Sequence, residues 1–217
     1  MDIEQARFNM IEQQIRPWDV LDFNVLKIIE KTPRELFVPS QHQKLAFSDL
    51  EIPLQNGQWM MAPKVEARML QALQVQSGDE ILEIGTGTGF ITACLAKLGT
   101  HVDSIEFHAE FSNQAQSNLD KLEINNVNLL LGDALTTFNH DKKYAVIAVT
   151  ASMPVYLDVF EKLLTDNGRM FVVVGKKPIM QAQLITKIDG QDLYQTKLFE
   201  TNLEPLIGIK EPQNFQL

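Results

Sequence analysis

The 217-residue chain carries 28 acidic against 19 basic side chains, a net charge of -9, with 45% hydrophobic and 22% charged residues. That balance supports a folded core and speaks against disorder, and its acidity disfavours a nucleic-acid partner. The single cysteine, Cys94, excludes an internal disulfide and fits a reducing compartment.

Residues 1–10 include Asp2, Glu4 and Arg7 and no apolar h-region, so no signal peptide is read there. No apolar run reaches bilayer-spanning length, so a cytoplasmic protein with no membrane partner is expected. Residues 1–50 read as short helices. Ile3, Met10 and Ile11 share a face until Arg16-Pro17-Trp18 breaks the pattern. Asp22 is placed to cap a helix carrying Val25, Leu26 and Ile29. Thr32-Pro33-Arg34-Glu35 reads as a capping box with proline at the first helical position, ended by Val38-Pro39.

From Pro63 helix and strand alternate. Pro63–Leu73 is a helix with Val65, Met69, Leu70 and Leu73 on one face, followed by a Ser77-Gly78-Asp79 turn. Strands are expected at 80–84, 102–105, 127–131, 144–149 and 170–174, nearly continuously apolar as in a parallel sheet covered on both faces. Helices are expected at 90–98 and 154–164, and over the stripe Phe111, Ala115, Leu119 and Leu122. Residues 182–188 and 193–199 flank Asp189-Gly190, a hairpin signal, and a last strand is expected near 206–209. Lys142-Lys143 and Lys176-Lys177, the densest basic spots, read as solvated loop ends.

The fold class is therefore α/β and Rossmann-like: a central, mostly parallel sheet with a helical N-terminal layer and an antiparallel C-terminal edge. A single domain is expected, with a helical layer over 1–60, a cofactor core over 61–178 and C-terminal strands over 179–217.

The chemistry concentrates in Glu83-Ile84-Gly85-Thr86-Gly87-Thr88-Gly89, which ends a strand and opens a helix. Glycines there let the backbone turn sharply and a ligand approach without meeting a Cβ. The spacing is Gly-x-Gly-x-Gly, not the dinucleotide Gly-x-Gly-x-x-Gly. An acid two residues before the first glycine suits a cationic ligand and is awkward beside a pyrophosphate. S-adenosylmethionine, with a sulfonium, an ammonium and no phosphate, fits better than NAD. Glu106 follows the second strand, where a carboxylate can accept ribose hydroxyls or stand as a solvated acid. Asp133 follows the third, placed to accept from an adenine amino group or to cap a helix. His42, His101, His108 and His140 lack ligand-like spacing, so no metal is expected. Cys94 reads as a buried thiol, and Met60-Met61 as packing.

Four blocks carry a resemblance. Residues 9–18, Asn-Met-Ile-Glu-Gln-Gln-Ile-Arg-Pro-Trp, and Pro33-Arg34-Glu35-Leu36-Phe37-Val38-Pro39 resemble the N-terminal motifs of protein-L-isoaspartate O-methyltransferases. Leu82 to Gly89 is similar to their cofactor loop, and Val149-Thr150-Ala151-Ser152 to a strand end beside their substrate. The resemblance runs from about residue 5 to about residue 185. It implies methylation of the free carboxylate of isoaspartyl residues in damaged proteins, with S-adenosylmethionine as donor and S-adenosylhomocysteine as product. The partner would be a protein or peptide carrying isoaspartate, with no nucleic acid involved. The implied cofactor residues are Gln58, Met60, Glu83, Ile84, Gly85, Thr86, Gly87, Gly89, Glu106, Phe107, Asp133 and Ala134.

Two segments depart from the family pattern. Gly57-Gln58-Trp59-Met60-Met61 stands where the family has Gly-x-Thr-Ile-Ser, so Met61 holds the position of a substrate-side serine and cannot donate a hydrogen bond. Leu203-Glu204-Pro205-Leu206 stands at a Val-Pro-Leu strand and adds a negative charge near an anionic substrate. The Thr150 or Ser152 hydroxyl is expected near the transferred methyl, replacing the lost serine; Ser152 could instead cap a helix at Pro154. Other readings remain: a different acceptor such as a small molecule, a silent cofactor-binding homologue, and a nicotinamide dehydrogenase, the last opposed by the glycine spacing and Glu83.

Overall fold

The computed structural model describes residues 2–136, 141–188 and 192–209. Helix α1 (Ile3–Met10) starts on Asp2, whose side chain accepts from the Gln5 amide. It runs into a π-turn, Ile11–Ile15, and a 3-10 turn, Arg16–Trp18. The wider π-turn places Met10, Ile11 and Ile15 in the core together, while Ile3 is exposed. Helix α2 (Phe23–Lys31) is capped as expected: the Asp22 carboxylate accepts from the amides of Asn24 and Val25.

The capping box at Thr32 does not form. Only a 3-10 turn, Arg34–Leu36, follows Pro33, and Thr32 is buried, its hydroxyl accepting from Lys97 Nζ at 3.0 Å. A second 3-10 segment, Ser40–Leu45, leads to a small hairpin of β1 (Ile52–Pro53) and β2 (Trp59–Met60), whose turn places Asn56 and Gly57 at positive φ. Helix α3 (Pro63–Leu73) follows.

The remaining order is β3 (Glu80–Ile84), α4 (Phe90–Leu98), β4 (His101–Glu106), α5 (Ala109–Lys121), β5 (Val127–Leu131), β6 (Tyr144–Met153), β7 (Leu164–Lys176), β8 (Ile179–Ile188) and β9 (Asp192–Thr201). Among the described residues these strands form one seven-stranded sheet in the order β5-β4-β3-β6-β7-β8-β9. Pairs from β5 through β7 are parallel; β7–β8 and β8–β9 are antiparallel. The Asp189-Gly190 turn lies outside the described residues, and the strands on either side of it pair from Ile188 with Asp192.

Strand alternation sorts side chains into two cores. Ile81, Val146, Ala148, Phe171 and Val173 pack toward α3, α4 and the N-terminal helices. Leu82, Ile84, Ile147, Val149, Met170 and Val172 pack on the other face with Phe160 and Leu163.

Several expectations are corrected. Residues 154–164 form no α-helix: β6 extends to Met153, and only a 3-10 segment, Asp158–Leu163, precedes β7. Strand β5 is an edge, so its outward side chains stay wet, Leu131 among them. The last strand near 206–209 shrinks to one bridge between Ser152 and Pro205. Lys142 does stand at a loop end, before β6, but it is not simply solvated: it pairs with Asp103 at 2.6 Å and Glu80 at 3.2 Å. No helix among the described residues is long and apolar enough to cross a membrane.

Candidate active site

Where β3 ends, the sheet order reverses, β4 lying on one side and β6 on the other, and such switch points open a crevice at the carboxyl ends of the strands. The glycine loop fills this point. Gly85, Gly87 and Gly89 have φ of 94°, 54° and 92°, a region that strains any residue with a Cβ. Gly89 opens α4 against α5, where an added Cβ would lie 3.1 Å from that of Ala115. At Gly87 an added Cβ would meet open space, so the backbone is bare toward the crevice.

The three acids at or near the strand ends take three different positions. Glu106 lies at the crevice with both oxygens engaged: Oε2 accepts from the Gly87 amide at 2.8 Å and Oε1 from the His108 amide at 2.9 Å. Glu83 sits behind the loop, fully buried, and does not line the crevice. Its Oε2 accepts from Thr92 Oγ1 at 2.5 Å and Ser104 Oγ at 2.6 Å, which leaves the Thr86 hydroxyl to donate to Ser104. Glu83 Oε1 is buried with no partner among the described residues. Burial pushes this carboxyl up to about 8; the two hydroxyls oppose that rise and the nearby Glu106 adds to it. Asp133 Oδ1 accepts from the Leu135 amide at 2.8 Å and so caps the turn after β5.

The crevice has two lobes that share Leu54, Trp59, Gly85, Gly87 and Thr150. The larger, about 620 Å³, is walled by Gln58, Ile84, Glu106, Phe107, His108 and Ala134, and by the C-terminal residues Pro205 to Ile207. The smaller, about 360 Å³, is walled by Met60, Met61, Glu66, Thr86, Thr88 and Phe90. No lysine or arginine is among the described residues that line either lobe. The β1–β2 turn reaches across the larger lobe, with Asn56 Nδ2 3.3 Å from His108 Nδ1.

Thr150 reaches both lobes, but its hydroxyl proton is shared between the carbonyl oxygens of Ile84 and Gly85. Ser152 does neither of the things expected of it. It is fully buried, its hydroxyl donates to the Leu203 carbonyl at 2.8 Å, and no helix starts at Pro154 for it to cap. With the Ser152 amide donating to Glu204 O and the Leu206 amide to Ser152 O, it staples the C-terminal wall to β6. The Glu204 carboxylate is paired, 2.5 Å from Lys177 Nζ. Met61 does wall the smaller lobe.

The sequence reading gave no site role to two residues that the structure pairs behind the smaller lobe. Arg34, 1% exposed, donates to Glu66 Oε2, to Met61 O at 2.7 Å and to Ala46 O at 2.9 Å. Glu66, 2% exposed, has its carboxyl raised by burial against the lowering pull of Arg34. The two are 32 residues apart, and nothing in their local patterns marks them as a pair.

The family model for protein-L-isoaspartate(D-aspartate) O-methyltransferase matches residues 5–210. A Koribacter versatilis protein-L-isoaspartate O-methyltransferase is 35% identical over 202 residues, 93% of this chain and 90% of that one. A Methanospirillum hungatei protein of the same name is 33% identical over 204 residues, 94% of each. In fold, the chain is similar to a Plasmodium falciparum protein-L-isoaspartate O-methyltransferase solved with S-adenosyl-L-homocysteine. That match has a TM-score of 0.80 and 18% identity, and covers 95% of this chain and 98% of the other.

Proposed function

We propose, from the premise that this chain belongs to the protein-L-isoaspartate(D-aspartate) O-methyltransferase family, that it methylates the free carboxylate of L-isoaspartyl residues in damaged proteins, using S-adenosylmethionine and beginning their repair. The observation that carries the cofactor is the charge and shape of the crevice: a bare glycine backbone, a carboxylate held by two amides, and no cationic side chain in the described lining. A sulfonium and an ammonium fit such a site; a pyrophosphate does not. S-adenosylmethionine supplies an electrophilic methyl group when bound.

Glu106 would accept the ribose hydroxyls with its remaining lone pairs. Ile84, Phe107 and Ala134 would wall the adenosine end, and Gly85, Thr86 and Gly87 would present backbone to the rest. Gln58 and Met60 would close the opposite side, with Glu83, Gly89 and Asp133 supporting the loop and the β5 turn from behind. The acceptor, a carboxylate far above its reference pKa of about 4 at neutral pH, is already a nucleophile and needs no general base. The chain's contribution is then alignment of the acceptor and exclusion of water, in which Met60, Met61 and Phe90 of the smaller lobe and the Thr150 side chain take part.

One observation favours a second reading. The Met61 side chain offers the acceptor no hydrogen-bond donor in the smaller lobe, which favours a different acceptor, such as a small molecule. Labelled S-adenosylmethionine with an isoaspartyl peptide and its aspartyl twin separates the two. Methyl transfer to the isoaspartyl peptide alone is expected. Transfer to neither peptide, with S-adenosylhomocysteine still binding, would favour another acceptor.

A further inference from the structure

Behind the smaller lobe a single guanidinium holds three of its walls. Arg34 does not line the crevice, yet it donates to the Met61 carbonyl at 2.7 Å, pairs with the Glu66 carboxylate, and lies 5.0 Å from the centre of the Phe90 ring. Met61 belongs to the segment before α3, Glu66 to the first turn of α3, and Phe90 to the start of α4 after the glycine loop. The acceptor-side segment and the cofactor-side helix therefore meet through one side chain. Its third donor, to Ala46 O at 2.9 Å, anchors the group from the N-terminal layer.

We infer that Arg34 is a positioning residue, which sets the distance between the acceptor-side wall at Met61 and the cofactor-side wall at Phe90. This rests on the methyl-transfer reading above. The chemistry of the side chain supports it. A planar guanidinium can satisfy three acceptors in a fixed fork, which neither an ammonium nor an apolar chain can do. The position matters because the Met61 side chain brings no hydroxyl to the smaller lobe, so the spacing of its walls contributes more to aligning an acceptor. A buried ion pair is weak evidence for stability as such, since apolar pairs of similar volume often replace one at no cost. The Met61 carbonyl bond is what an apolar pair cannot reproduce.

The test is the double substitution Arg34→Met with Glu66→Met, made also in a Trp18→Phe background so that Trp59, beside Met60, is the only tryptophan. Expected are a cooperative melt, lowered because the Met61 and Ala46 carbonyls lose their donor, S-adenosylhomocysteine affinity within about threefold, and kcat/KM for an isoaspartyl peptide lower by about 10–100-fold, the effect of a misplaced acceptor. Acrylamide should quench Trp59 more strongly as the wall loosens. A folded double variant with native kcat/KM and native Trp59 quenching would overturn the inference. Should that variant fail to fold, Arg34→Lys keeps the charge opposite Glu66 without the fork, and the same outcomes decide. A native chain inactive on the isoaspartyl peptide would sink the functional reading alone; the positioning role would then stand or fall on Trp59 quenching.

Discussion

The Thr150 hydroxyl occupies the space that a Cβ on Gly85 would need: that carbon would lie 2.4 Å from Thr150 Oγ1, inside any van der Waals contact. The same hydroxyl donates to the Gly85 carbonyl at 2.6 Å, so the end of β6 and the turn after β3 are fitted to each other at one atom. Gly85→Ala should therefore lower the melting temperature and abolish S-adenosylhomocysteine binding. Gly87→Ala, with open space at its Cβ, should cost only the left-handed backbone strain, about 1–2 kcal/mol. Adding Thr150→Ala to Gly85→Ala removes the clash. The pair should then be less destabilised than the sum of the singles, with a coupling of about 1 kcal/mol or more in denaturant unfolding. Additive values would mean that the loop moves away rather than colliding.

Glu106 joins the loop after β4 to the glycine loop through the amides of His108 and Gly87. Glu106→Ala should weaken S-adenosylhomocysteine by about 1–3 kcal/mol, the cost of unpaired ribose hydroxyls and freed amides. Glu106→Gln, which keeps one acceptor oxygen, should fall between. Calorimetry checks both, and unchanged affinity in the alanine variant would remove Glu106 from the site.

Glu83 makes stability depend on pH in an unusual direction. Its folded carboxyl, near 8, lies above the ordinary value of 4.5, so the folded chain holds a proton that the unfolded chain has lost. Stability contributed by this group is full below about pH 4.5 and is lost as pH rises through about 8. Glu83→Gln should flatten the decline in melting temperature between pH 5 and 8.5 relative to the native chain. Parallel curves for the two proteins would place the proton elsewhere.

Ser152 is a staple, not an acceptor ligand. Ser152→Ala leaves the buried Leu203 carbonyl without this donor and should cost about 1 kcal/mol, with S-adenosylhomocysteine affinity within about threefold. Because Pro205 to Ile207 wall the larger lobe, where Glu106 and Ala134 would hold the adenosine end, any loss of activity should appear in the KM for S-adenosylmethionine. A fall in kcat alone, without loss of stability, would return the hydroxyl to the reacting centre.

Local pattern fixed the alternation of α3, β3, α4, β4, α5 and β5, and the Asp22 cap, because these rest on periodicity and on hydrogen bonds within a few residues. The glycine loop and Glu106 were legible for the same reason: positive φ and a carboxylate at a strand end are demanded where they stand in the chain. The residues that only the tertiary structure could place are those whose partners are distant in sequence. Thr32 reads as a cap but is taken by Lys97, and residues 154–157 read as helix but follow a β6 lengthened by its pairing with β7. Ser152 points to Leu203, and Arg34 finds Glu66, Met61 and Ala46. A buried polar group must be satisfied by whatever the fold brings within about 3 Å, and that neighbour is set by packing across the whole chain, not by the residues beside it.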